Sequence, residues 1–195
     1  MDGVTAIEEE RLPVAKRILI LGIGNPLMTD EGVGVRVAEI LMSSFDFPDG
    51  VDVVDAGTMG LGMLNLFRGV DVIIVVDAIE GTGHPPGTVL RLSPDDLAPN
   101  QIMHSLHDVR FVDVLQAAEL TGIRPEAECI GIQVDSMEQW VTELTPDVEA
   151  ALPTAVDAVL TVLGEYGVTA LPRTKGGDDA AIIEAIRTKN DMPGA

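Results

Sequence analysis

Residues 70–78, VDVIIVVDA, constrain the fold more than any other stretch of this chain. Val72, Ile73, Ile74, Val75 and Val76 are consecutive β-branched residues, which favour extended backbone over helix. A run that is apolar at every position, rather than at every second one, belongs to a strand covered on both faces. Such strands sit in parallel sheets with helices above and below. The run ends in Asp77, and an acid at that buried edge is costly unless it is hydrogen-bonded, paired or coordinated to a metal. An Asp that merely caps the following loop is the plainer reading.

The flanking segments complete the pattern. Residues 17–23 (RILILGI) and 51–57 (VDVVDAG) read as two more strands. Between them, residues 30–44 place Val33, Val37, Ile40 and Leu41 at helical spacing, with Thr29 or Asp30 as N-cap. Residues 60–68 predict a short helix, so the order is β-α-β-α-β, which implies parallel strands and right-handed crossovers. The strand TVLRLS (88–93) follows Asp77 after about ten residues rich in Gly and Pro, too few for a helical crossover, and is expected to run antiparallel. A helix over 105–121, a strand over 128–134 and a helix over 145–166 follow. The last opens at Thr145-Pro146 and carries Pro153, where a kink is expected.

These elements predict an α/β fold: a three-layer α/β/α sandwich around a mixed five-stranded sheet whose fourth strand is antiparallel. Residues 1–16 read as a polar leader, 17–171 as a single α/β domain, and 172–195 as a polar tail with a helix around 179–188. In open sheets of this kind ligands lie outside the carboxyl ends of the strands, where neighbouring crossovers diverge. That crevice falls between the first and third strands, with Asn25–Glu31 on one side and Asp77–Glu80 on the other.

Charge narrows the function. Twelve Lys and Arg against 32 Asp and Glu leave a formal charge of −20. So acidic a surface argues against nucleic acid and against anionic membranes, both of which are bound through basic side chains. A basic protein partner or a metal cation is compatible with it. Cys129 is the one cysteine, in an apolar run where core packing is the expected role, so no disulfide framework exists. The acidic N-terminus is unlike a signal peptide, and no apolar stretch reaches the roughly 18 residues that span a bilayer. A cytoplasmic monomer is expected.

The glycine-rich stretch GIGNPLMTDEGVGV (22–35) sits where a nucleotide site would, yet a third dinucleotide-binding glycine is replaced by Leu27 and no Gly-Lys-Ser/Thr follows. Asp30 and Glu31 occupy the helix start where a pyrophosphate would bind. An acid there is often only a cap, which accounts for Asp30 but not for a second acid with Gly32 and Gly34 clearing space beyond it. Of the three histidines, His84 lies in a breaker-rich loop and reads as solvated, whereas His104 and His107 bracket a helix start. Glu31, Asp77 and one of these histidines offer two carboxylates and an imidazole, a set suited to a divalent ion such as nickel or zinc. Nothing in the spacing selects that triad.

With the blocks GIGNPLMTDEGVGVRVAEIL (22–41), DAGTMG (55–60), VVDAIEG (75–81), PGTV (86–89) and SLHDVRFVDVL (105–115), the chain resembles the maturation endopeptidases of nickel–iron hydrogenases from about Arg17 to Leu171. The resemblance implies a phosphorylase/hydrolase-like fold and removal of a C-terminal peptide from the hydrogenase large-subunit precursor once nickel is in place. It implies that Glu31, Asp77 and His107 act as the catalytic and metal-contacting residues, with His104 as an alternative to His107. The metal is then the nickel of the substrate itself, although other divalent ions suit the same ligands. Asn25 ties the loop or holds the peptide. Whether such an endopeptidase works by a metallo- or an aspartic-type mechanism stays open at this point. A non-catalytic nickel checkpoint or chaperone that binds the precursor uses the same residues and is the alternative.

Overall fold

The computed structural model describes residues 16–94, 96, 111–173, 184 and 186. In chain order the main elements are β1 (Ile18–Ile23), α1 (Val33–Ser44), β2 (Phe45–Asp46), β3 (Val51–Gly57), β4 (Val72–Ile79), β5 (Val89–Leu92), α2 (Phe111–Leu120), β6 (Glu126–Gln133), α3 (Pro146–Glu165) and β7 (Leu171–Pro172). Five strands form one sheet in the order β3-β1-β4-β6-β5. β1 is parallel to β3 and β4, and β4 is parallel to β6, while β5 runs antiparallel to β6 with Leu90 opposite Gly131. The expected mixed sheet is present, and the short Gly/Pro loop does turn the chain back as its length requires.

Side chains alternate across this sheet, so odd and even positions feed two separate cores. Ile18, Ile20, Val72, Ile74 and Val76 pack beneath α1 and α3. Leu19, Leu21, Ile73, Val75 and Ile79 pack on the opposite face against α2, with Met63 and Phe67. All eight positions of β4 are buried, which explains a strand with no polar alternation. Helices on both faces make this the three-layer sandwich that the apolar strands demanded.

Three local features add detail to the sequence expectation. Residues Gly60–Asn65 form a 3₁₀ helix rather than an α-helix; Gly60 and Gly62 are poor helix formers in so short a segment. The α3 helix runs through Pro153. Residues 171–173 join the fold: Leu171–Pro172 pair antiparallel with Phe45–Asp46, Arg173 N–H donates to Ser44 O at 2.8 Å, and Arg173 Nε donates to Asp46 Oδ1 at 2.8 Å. Further along, Glu184 and Ile186 are helical and Ile186 is buried in the core beneath α1 and α3. The leader 1–15, residues 105–110 of the helix expected over 105–121, and the rest of the helix expected around 179–188 lie outside the described residues.

Candidate active site

The chain leaves β1 through Gly24, whose φ of +139° is a conformation that residues with a side chain rarely adopt. A Cβ there would lie 1.9 Å from the carbonyl oxygen of Glu31, so the loop presses directly on the turn that follows it. Asn25 closes that loop: its Oδ1 accepts the Leu27 N–H at 3.0 Å and its carbonyl accepts the Met28 N–H at 3.0 Å. The chain then makes one 3₁₀ turn, Thr29–Gly32, before α1 begins. At Gly34 a Cβ would stand 2.2 Å from Ile23 O and 2.3 Å from Val76 O. Only a glycine lets the first turn of α1 settle across the ends of β1 and β4. That contact puts Glu31 over the crevice beside Asp77, the residue after Val76.

The two acids of the turn separate in role. Asp30 is fully buried and accepts both the backbone N–H of Thr145, at 2.7 Å, and its hydroxyl, at 2.8 Å. Neither Thr29 nor Asp30 caps α1, contrary to the sequence expectation; Gly32 is the N-cap, without a side-chain bond, and the Thr29 hydroxyl donates to Glu138 O at 3.1 Å. Thr145 does stand at the N-cap position of α3, with Pro146 after it as expected, but its side chain makes no cap bond because its hydroxyl is drawn to Asp30. The sequence hides this link because its partners stand 115 positions apart.

Glu31 is 1% exposed and Asp77 2%. Burial pushes the Asp77 carboxyl up to about 7; the Ala78 N–H, donating to its Oδ1 at 2.8 Å, opposes the rise, and the charge of Glu31 adds to it. Two carboxylates thus share one poorly solvated crevice, and the charge of Glu31 makes Asp77 harder to ionise. A divalent cation between them would relieve both costs, so the donor set fits a metal. Among the described residues no group of three His, Cys, Asp or Glu side chains gathers to hold an ion. His104 and His107 lie outside the described residues. α2, described over Phe111–Leu120, packs on the face served by the odd positions of β4, the parity of Asp77. His84 is exposed, as its loop suggested, and Cys129 is buried with a thiol pushed upward by burial first and then by Asp77 and Glu128.

The sequence profile of the hydrogenase maturation proteases matches residues 35–162. The chain belongs to that family. Over 161 residues it is 40% identical to the hydrogenase 2 maturation protease of Escherichia coli (strain K12), covering 80% of this chain and 96% of that protein. Over 176 residues it is 38% identical to the hydrogenase expression/formation protein HupD of Rhizobium leguminosarum bv. viciae, covering 88% of this chain and 86% of that one. The solved hydrogenase maturating endopeptidase HybD from E. coli has the same fold, with a TM-score of 0.74 at 38% identity over 82% of this chain and 99% of its own. The match starts at Val35, in the first turn of α1, and the maturation protease fold accounts for the mixed sheet and its antiparallel β5. In this maturation protease no helix among the described residues is long and apolar enough to cross a membrane.

Proposed function

We propose that the protein is an endopeptidase that removes the C-terminal extension of a nickel–iron hydrogenase large-subunit precursor after nickel insertion. The observation that carries the reading is the pairing of Glu31 with Asp77 in one buried crevice, with the Asp77 carboxyl raised to about 7. A carboxyl of that kind exchanges a proton near neutrality, as a general acid or base must. The family supplies the reaction class, and the acidic surface suits a cation-bearing partner.

In this reading the nickel arrives with the substrate and is contacted by Glu31, Asp77 and His107. Bound there, a divalent ion polarises the scissile carbonyl or a water. The chain's own part is positional. The Gly24 and Gly34 contacts hold Glu31 at the crevice, Asp30 anchors the turn to Thr145, and Asn25 keeps the entering loop closed. Asp77, held by the Ala78 N–H, takes the proton from the attacking water and gives it to the departing amine.

The test is the intact mass of the precursor after incubation with this protein, with and without nickel loading. Loss of a discrete C-terminal peptide from the nickel-loaded form alone is expected. Tight binding with unchanged mass would make the protein a checkpoint instead. Cleavage without nickel would remove the metal from the mechanism.

A further inference from the structure

Next to the candidate active site, Leu27 is 49% exposed and Trp140 is 82% exposed. They are held side by side by backbone. Trp140 N–H donates to Leu27 O at 2.7 Å, Thr29 N–H donates to Glu138 O at 3.2 Å, and Met28 bridges to Gln139 and Val141. Trp140 has a φ of +65° and is the one non-glycine residue at positive φ among those described. A bulky side chain in that conformation costs energy and persists only where its surroundings impose it. Here the ring recovers nothing by burial, so the free protein holds an exposed tryptophan in a strained backbone.

Leu27 stands between two recesses. One, of about 240 Å³, is lined by Asn25, Met28, Gln139 and Trp140. The other, of about 720 Å³, opens between the starts of α1 and α3. Its apolar floor includes Pro26, Val35 and Leu144, and its charged rim is Arg36, Glu39, Glu143 and Glu149. Arg36 lies 3.4 Å from Glu39, which leaves the exposed Glu143 and Glu149 to set a negative sign. Leu27 is four positions before Glu31, on the loop that leads into the carboxylate-bearing turn, so the groove lies on the segment that carries Glu31.

We propose that this groove docks the protein substrate as an extended segment. An apolar side chain of that segment packs against Leu27 and Trp140, and a lysine or arginine meets Glu143 and Glu149. The inference rests on the endopeptidase reading and deepens it by assigning where, and by what chemistry, the substrate is recognised. Tryptophan is among the residues that carry most of the energy in such contacts, with its neighbours excluding water, and a rim of one sign selects a partner of the other.

The test compares Trp140→Gly and the double variant Glu143→Lys/Glu149→Lys with the wild-type protein, using the intact nickel-loaded precursor. Trp140→Gly removes the ring and relieves the positive φ, so its Tm equals or exceeds that of the wild type. Its KM nonetheless rises about tenfold, while the rate at saturating precursor changes by less than about twofold. The double charge reversal raises KM by about tenfold at low salt and loses the difference in about 1 M salt, where charges are screened within about 3 Å. KM values within about twofold of wild type for both variants would overturn the proposal, as would a lower Tm for Trp140→Gly with KM unchanged. If the wild-type protein binds the precursor without cutting it, the endopeptidase reading fails and the same comparison is made by Kd. If it neither binds nor cuts, both fail.

Discussion

Thr145, at the threshold of α3, donates its backbone N–H and its hydroxyl to the two carboxylate oxygens of Asp30, at 2.7 and 2.8 Å. Asp30 is wholly buried, and the next residue is the candidate catalytic Glu31. The pair therefore ties the carboxylate-bearing turn to the helix whose core face runs beneath the sheet. Thr145→Val removes one hydrogen bond to a buried charge and should cost about 1.5–3 kcal/mol in urea unfolding. Thr145→Ser keeps the hydroxyl and should stay within about 0.5 kcal/mol of wild type. A loss in Thr145→Ser with none in Thr145→Val would show that the methyl group, not the hydroxyl, matters.

Asp77 supplies a pH dependence. Its carboxyl stands at about 7 in the fold against 3.8 ordinarily, so the native state holds the proton more tightly than the unfolded chain does. The sign follows: the penalty is absent below about pH 4, grows as pH rises toward 7, and is complete above it. Its full size is on the order of 4 kcal/mol. Asp77→Asn cannot ionise, so its stability relative to wild type should climb across that interval in chelator-treated protein, read by urea unfolding at successive pH values. The same variant should lose at least about a hundredfold in precursor processing. A stability difference that ignores pH would mean that Asp77 is ionised throughout.

Two glycine substitutions should move stability in opposite directions. Gly34→Ala drives a Cβ to 2.2 Å from Ile23 O and 2.3 Å from Val76 O, both backbone atoms that cannot swing aside. We expect a loss of about 3 kcal/mol or more, with α1 lifted from the ends of β1 and β4. Gly164 lies within α3 with nothing inside 4 Å of its added Cβ. Gly164→Ala should stabilise by about 0.5–1 kcal/mol. Thermal unfolding of the two variants beside wild type decides both.

Cys129 should be chemically silent in the folded protein. It is buried at 1% exposure, and its thiol is pushed up by burial and by the charges of Asp77 and Glu128. The thiolate is the reactive form. Native protein incubated with iodoacetamide should therefore keep its mass and its processing activity, with one adduct appearing only in denaturant. Rapid modification with loss of activity would bring a cysteine nucleophile into consideration.

The amino-acid sequence by itself determined the layer structure. An apolar run with no polar alternation must be covered on both faces, so 72–76 called for helices above and below. The breaker-rich gap before Val89 is too short for a crossover, so β5 had to turn back. Local chemistry also marked the loop at Asn25, the exposed His84, the buried Cys129 and the carboxylates on the two sides of the crevice. It named His107 as well, a choice that came from resemblance because no spacing compels it.

What only the tertiary structure decided is how distant groups meet. The sequence reads Asp30 and Thr145 as caps of their own helices, since capping acts within a turn and is visible locally. Thr145 keeps the N-cap position of α3, but the fold turns both side chains on each other across 115 positions. Trp140 reads as an ordinary loop residue until its backbone is seen locked to Leu27 with φ at +65°. The pairing of β2 with β7, and the burial of Ile186 beneath α1 and α3, likewise join segments that carry no mutual signal. Periodicity records whether a side chain faces inward, because that depends on its own segment. It does not record which other segment it faces, because that depends on how the whole sheet and its helices close, and the pKa of Asp77 belongs to that second kind of fact.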